Sequence, residues 1–242
     1  MTSRKLRFAI VGNTYQAKKS ASVQKILNCL AMHEAEVCME REFHRFLVQG
    51  QHLSLDGVEV FDGNDFEADF TVSMGGDGTF LKTASMVGEK QIPIIGVNTG
   101  RLGFLADINP PEIDPMVQAI YEGDYAIDTR TVLQVETDGQ PLSGCPFALN
   151  DVAILKRDVA AMITVRTTIN GDYVTTYQAD GLVISTPTGS TAYSLSVGGP
   201  IIVPGTHVFS ITAVAPQSLN VRPLVLSEDS EITLTVESRS HN

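Results

Sequence analysis

Thr71-Val72-Ser73-Met74-Gly75-Gly76-Asp77-Gly78-Thr79 joins an apolar run to a helical one through a turn of glycines. Asp69 to Met74 reads as a short β-strand that stops at the double glycine, and Phe80 to Val87 reads as a helix with Gly88 as its C-cap. The same alternation holds on both sides. Leu6 to Val11 is an apolar strand ending at the turn signal Gly12-Asn13. Ser20 to His33 puts Val23, Ile26, Leu27 and Leu30 on one helical face. Ile92 to Val97 is uniformly apolar, as a strand covered on both faces is. Strands alternating with helices predict an α/β domain with a parallel sheet.

The pattern changes near Pro110-Pro111. A short helix is expected there, with Asp114 as N-cap, Pro115 at its first position and Gly123 beyond its end. Strands then follow: Thr131 to Thr137, Met162 to Asn170 with the hairpin turn Asn170-Gly171, Gly181 to Ser185, Val208 to Val214 and Glu231 to Val236. The reading is an α/β domain over residues 1–108 and a β-rich, sandwich-like domain over 109–242. The chain stops just after its last strand, so a truncated C-terminal end is expected.

Composition bounds the function. The 242 residues are 43% hydrophobic and 19% charged, a globular mix. No run of about 18 apolar residues is present, so no membrane span is expected, and the apolar stretch after Met1 is too short for a signal peptide. Cys29, Cys38 and Cys145 are odd in number and lack metal-ligand spacing, which fits reduced thiols in the cytoplasm and no protein-ligated metal cluster. A net charge of −11 repels nucleic acid and anionic membranes. An enzyme with anionic substrates would then need backbone amides, local cations or a divalent metal ion at its site.

The Gly75 turn supplies the first of these. A strand, a glycine-rich turn and a helix N-terminus make an anion site, which assigns phosphate binding to Gly75, Gly76, Gly78 and Thr79. Asp77 is out of place beside a phosphate unless it binds a metal ion or takes a proton from an attacking hydroxyl. The plainer reading is a tight turn in which Asp77 or Thr79 caps the helix. The P-loop pattern is absent, and Leu81 stands where a dinucleotide fingerprint needs its third glycine. Lys82 lies one turn into the helix, within reach of a phosphate or simply solvated. A second glycine-spaced loop, Asn98-Thr99-Gly100-Arg101-Leu102-Gly103-Phe104, follows the buried strand and offers Arg101 as a cation. Both loops fall at strand carboxyl ends, where open α/β sheets bind ligands.

Two polar clusters lie further on. Asn150-Asp151 interrupts an apolar run, either as a bulge or turn between strands or as a pair gripping ribose hydroxyls. Asp180 opens a strand that runs into Thr186 to Pro200, dense in hydroxyls and glycine. That composition suits nucleoside recognition, or belongs to a flexible loop.

Taken together, Gly75 to Thr79, Asn98 to Leu105, Asn150-Asp151 and Asp180 to Pro200 resemble the NAD kinase family in order and spacing, from Leu6 to Leu226. The glycine loop alone is shared with diacylglycerol-type lipid kinases. The resemblance implies transfer of phosphoryl from ATP, with a divalent metal ion such as Mg2+, to the 2′-hydroxyl of the adenosine ribose of NAD. It makes Asp77 the proton acceptor, with Gly78 beside it against the substrate. Asn150 and Asp151 would hold the adenosine, and Asp180 with Thr191, Ala192, Tyr193, Ser194, Leu195 and Ser196 would make further dinucleotide contacts. It also implies homodimers or homotetramers. The chain departs from the family pattern at Ala161-Met162 and at Gln178-Ala179, so no residue-specific role carries over there. A non-catalytic NAD-binding module would need the Asn150 and Asp180 clusters but not Asp77. A lipid kinase would need an apolar groove where this chain has Thr186 to Ser196.

Overall fold

The computed structural model describes residues 5–14, 20–100, 103–140, 142, 144–157 and 161–237. The chain divides into two compact units, Met1–Ile127 and Asp128–Asn242. The division lies beyond the expected boundary near residue 108, because the helix after Pro110-Pro111 belongs to the first unit. Its Ile113, Val117 and Ile120 share a core with Ile26 and Leu30 of the first helix. Lys25 also pairs with Asp114 at 2.9 Å. Asp114 is therefore not the N-cap. Asn109 and Glu112 form a capping box around one 3-10 turn at Pro110–Glu112, and the α-helix begins at Ile113. Gly123 closes it in the left-handed conformation, φ +73°, as expected.

The first unit contains β1 (Arg7–Gly12), α1 (Ser20–Met32), β2 (Glu36–Glu40), α2 (Arg41–Arg45), β3 (Glu59–Phe61), β4 (Phe70–Gly75), α3 (Asp77–Val87), β5 (Ile94–Asn98) and α4 (Ile113–Glu122). Its five strands form one parallel sheet in the order β3-β2-β1-β4-β5. Successive residues of β1 face opposite sides. Phe8 and Ile10 enter the core covered by α1 and α4, while Ala9 and Val11 enter the one holding Met86 and Val87 of α3. Helices on both faces explain why all six residues of β4 are buried. Because the strands are parallel, the segments after β1, β4 and β5 leave the same sheet edge.

The second unit contains β6 (Leu133–Gln134), β7 (Phe147–Ala148), β8 (Asp151–Leu155), β9 (Ile163–Ile169), β10 (Asp172–Ala179), β11 (Gly181–Ser185), α5 (Tyr193–Ser196), β12 (Val208–Val214), β13 (Leu224–Ser227) and β14 (Ile232–Glu237). The sheets β10-β9-β14 and β13-β12-β11-β8 are antiparallel. They share one core, in which Val165 and Tyr177 of the first meet Leu182, Ile184 and Ile211 of the second. This is the sandwich-like arrangement expected of the β-rich half. Asn170 and Gly171 both take positive φ, +53° and +85°, which a two-residue hairpin turn requires. The strand expected over Thr131 to Thr137 shrinks to Leu133–Gln134. No helix among the described residues is long and apolar enough to cross a membrane.

Candidate functional site

β4 delivers Gly75 to the edge of the sheet, and α3 begins two residues later at Asp77. The glycines here have different reasons. A Cβ at Gly75 would lie 2.1 Å from Thr79 Oγ1, so Gly75 makes room for the tight return into the helix. Gly76 and Gly78 would meet nothing within 4 Å, and neither has positive φ. Neither packing nor backbone conformation requires glycine there, and both lie beside open space that a ligand can occupy. The carbonyl of Gly76 accepts the amides of Thr79 (3.0 Å) and Phe80 (3.1 Å). The amides just ahead of these are the ones a helix N-terminus offers to an anion.

Asp77 does not cap its own helix. The cap position is Gly76, and no side chain bonds to the first turn. The half-buried Asp77 carboxylate instead accepts the backbone N–H of Phe104 on Oδ2 (2.9 Å) and that of Leu105 on Oδ1 (2.9 Å). The Ala106 N–H also reaches Oδ1, at 3.4 Å, so both oxygens are fixed in direction and Oδ2 keeps lone-pair capacity for a further donor. The two glycine-spaced loops thus meet at one carboxylate. Nothing in the spacing of the sequence announces this contact. Its only local signal is Gly103, set among larger residues.

Lys82 is engaged by two carboxylates. Its Nζ lies 2.5 Å from Oε1 of the buried Glu40, at the end of β2, and 3.6 Å from Glu42. Glu40, which the sequence reading passed over, is therefore Lys82's partner. Arg101 lies outside the described residues. No group of three His, Cys, Asp or Glu side chains able to hold a metal ion occurs among the described residues.

In the second unit, Leu149-Asn150 is the turn between β7 and β8, and Asp151 opens β8. The Thr186 amide donates to the Asn150 carbonyl at 2.9 Å. Thr186 Oγ1 reaches the Leu149 carbonyl at 2.6 Å. Gly189 packs directly over this junction, since a Cβ there would lie 2.1 Å from the Asn150 carbonyl oxygen. Ser190 Oγ is tied to the Pro187 carbonyl (2.7 Å) and accepts the Ile202 amide (3.0 Å). The hydroxyl-rich segment is thus cross-braced rather than loose. Thr188–Thr191 forms one 3-10 turn, and Tyr193–Ser196 forms α5. Ser194 is buried, while Tyr193, Leu195 and Ser196 are exposed and Thr191 and Ala192 lie between.

Two polar atoms in this cluster have no partner. Asn150 Oδ1 and Ser194 Oγ are both buried without a hydrogen bond. Buried polar atoms are nearly always paired, so such orphans call for a water or a ligand. Asp151 is half-buried, and burial pushes its carboxyl up; the backbone amide of Tyr193 partly opposes this by hydrogen-bonding the charged form.

Asp180 is not part of this group. Ser185 pairs with Asp151 at one end of β11, whereas Asp180 precedes the other end, its carboxylate 2.7 Å from Lys156 Nζ. At about 3.3 Å per residue, Asp180 and Ser185 stand roughly 17 Å apart. One ligand can touch both only if it is as long as a dinucleotide.

These arrangements match known proteins over nearly the whole chain. Residues 8–125 match the ATP-NAD kinase N-terminal domain, and residues 149–242 match the ATP-NAD kinase C-terminal domain. The NAD kinase of Bacteroides fragilis is 58% identical over 237 residues, covering 98% of this chain and 82% of that protein. That of Porphyromonas gingivalis is 44% identical over 236 residues, covering 98% and 81%. Among solved structures, yeast NADH kinase complexed with NADH aligns with a TM-score of 0.83 at 25% identity, covering 98% of this chain and 74% of that one. An NAD kinase from Archaeoglobus fulgidus in complex with ATP aligns with a TM-score of 0.74 at 29% identity, covering 96% and 81%. With both of its units matched in sequence and 98% of its length matched in fold, the chain belongs to the NAD kinase (ATP-NAD kinase) family.

Proposed function

We propose that this protein transfers the terminal phosphoryl group of ATP to the 2′-hydroxyl of the adenosine ribose of NAD, giving NADP and ADP. The observation that carries the reading is the glycine loop itself. It presents a carboxylate of fixed direction between two glycines that, among the described residues, border open space, in a chain whose two units both match ATP-NAD kinase domains.

A ribose hydroxyl is a far weaker acid than a carboxylic acid, so Asp77 does not remove its proton in advance. Phosphoryl transfer passes through a loose transition state, and the proton leaves late. Asp77 orients the hydroxyl and accepts the proton as the new O–P bond forms and the bond to ADP breaks. The amides at the start of α3, ahead of Thr79 and Phe80, hold the phosphates by direct approach, with Gly75, Gly76, Gly78 and Thr79 shaping the turn around them. Lys82, paired with Glu40 on one side, retains N–H donors for a phosphate oxygen. Arg101 is assigned as a second cation. A divalent ion, with Mg2+ the expected one, would neutralise charge on the transferring phosphates.

Asn150 and Asp151 are assigned to the adenosine, with the orphaned Asn150 Oδ1 as an acceptor waiting for a donor. Asp180 and the exposed parts of Thr191 to Ser196 are assigned to the remainder of the dinucleotide. Asn150→Ala and Asp180→Ala are each expected to weaken NAD binding by about 10-fold or more, as loss of a hydrogen bond to a charged or buried group does. Titration calorimetry checks this, and unchanged affinity in both variants contradicts the placement.

A homodimer or homotetramer is the expected assembly. β8 and β13 edge one sheet and β10 and β14 the other. These edges carry the exposed Leu155, Val225, Val174 and Val236, a surface that pairing between copies would cover. Three free thiols fit a cytoplasmic setting.

A further inference from the structure

We infer that Gly103 is a positioning residue for the reaction: its missing side chain is the space in which the Asp77 carboxylate sits. This rests on the assignment of Asp77 as the group that orients the ribose hydroxyl and receives its proton.

The segment after β5 is pinned before it reaches Asp77. Asn98 donates its amide to the Ile108 carbonyl at 2.7 Å, and Ile108 donates to Gly96 at 3.0 Å, so the chain returns along the edge of β5. The return is close. A Cβ at Gly96 would lie 2.7 Å from both Ala106 Cα and the Leu105 carbonyl oxygen. With the backbone at 105–108 held against the strand, the amides of Phe104 and Leu105 have little freedom. They meet the Asp77 carboxylate at 2.9 Å on opposite oxygens.

Gly103 stands at the head of this pair of amides. A Cβ built there falls into the carboxylate, 2.2 Å from Oδ1, 2.5 Å from Cγ and 2.6 Å from Oδ2. Gly103 does not have positive φ, so a left-handed backbone is not the reason for glycine here. Glycine is required at this position only because Asp77 occupies the place of its side chain. The atom that must yield to an alanine is the tip of the Asp77 side chain, not the backbone. Rotation about χ1 to another staggered well relieves the overlap, and at these partly exposed positions water takes over the amides of Phe104 and Leu105 that the carboxylate releases. The substitution thus leaves a folded protein whose Asp77 points elsewhere. Gly76 and Gly78 differ, since each would meet open space.

The test compares Gly103→Ala, Asp77→Ala and the double variant, with NAD, ATP and Mg2+ as substrates. Gly103→Ala is expected to lower kcat by about 10²-fold or more, the scale of losing a general base. NAD affinity, assigned to residues of the second unit, should change little, as should Tm. The two effects should not multiply, because alanine at 103 acts through a carboxylate already gone in the double variant. The double variant should therefore turn over as fast as Asp77→Ala alone. If Gly103→Ala keeps near-parental kcat, or if the two losses multiply, the inference is overturned while the role of Asp77 stands. If Asp77→Ala itself keeps parental turnover, both fall. Hydrogen exchange at the Phe104 and Leu105 amides gives a readout independent of the Gly103 variant. Asp77→Ala should speed it about 10-fold or more, as loss of an amide's partner does, and unchanged protection overturns the contact.

Discussion

Asp77→Asn is expected to lower turnover by about 10²–10⁴-fold, the usual cost of removing a general base, while NAD affinity stays within a few-fold of the parent. Asparagine keeps the shape and one acceptor oxygen. It cannot take the ribose proton, and its NH2 must face one of two amides that now donate to the carboxylate, those of Phe104 and Leu105. Two donors set against each other displace the loop or the side chain, so the loss should lie toward the upper part of that range. Steady-state kinetics with the Kd of NAD measured separately decides the matter. Near-parental turnover would reduce Asp77 to a strut between two loops. Recovery of turnover on raising Mg2+ would move its role to metal binding.

The second large effect is expected at Gly189. Alanine there would set a Cβ 2.1 Å from the Asn150 carbonyl oxygen, 2.3 Å from its carbon and 2.7 Å from Cα. These are backbone atoms, and that same carbonyl accepts the Thr186 amide. Unlike the carboxylate beside Gly103, they cannot rotate away. Overpacking of this kind costs about 1–3 kcal/mol. At roughly 2–4 °C of Tm per kcal/mol for a chain of this size, melting should fall by several degrees. The Asn150 side chain moves with its backbone, so NAD affinity should fall together with Tm. A Gly189→Ala protein with parental Tm and affinity would show that the turn over Asn150 is far looser than its bonds imply.

Much of the fold was legible from periodicity. β1, β4, β5, β9, β11, β12 and β14 lie within a residue or two of the apolar runs that announced them. β2 and β3 were not read. They have five and three residues, with Glu36, Glu40 and Glu59 at their ends. Pairing with neighbours in the parallel sheet, which no local pattern reports, makes them strands. The helix near Asp114 was legible, but its cap was not: Asn109 and Glu112 act across an intervening 3-10 turn, and Asp114 is engaged by Lys25. The first compact unit runs on past residue 108 for a related reason. α4 joins the first unit through the apolar face it shares with α1, not through sequence proximity.

The site was legible as residue types and opaque as contacts. The sequence marks Asp77 as unusual beside a phosphate loop, but not that its carboxylate is held by amides 27 and 28 positions away. In sequence Lys82 could reach a phosphate, but a lysine so placed is more often a solvated helix residue. The structure gives it Glu40, from a strand that no local pattern marks. Asn150 is the complementary case. Its place between apolar runs reads equally as a turn or as a ligand contact, and it is both a turn residue and the owner of an orphaned acceptor. Asp180 and Asn150 belong to one reading in sequence but lie by opposite ends of β11.

The central claim is the identity of the acceptor atom. The measurement that reaches it directly is incubation of the protein with ATP, Mg2+ and either NAD or diacylglycerol, with the phosphorylated product located by phosphorus NMR. The predicted result is NADP carrying its new phosphate on the adenosine 2′-oxygen, one ADP formed for each NADP, and no phosphorylated lipid. Phosphate on diacylglycerol, phosphate elsewhere on NAD, or tight NAD binding with no transfer at all would contradict it.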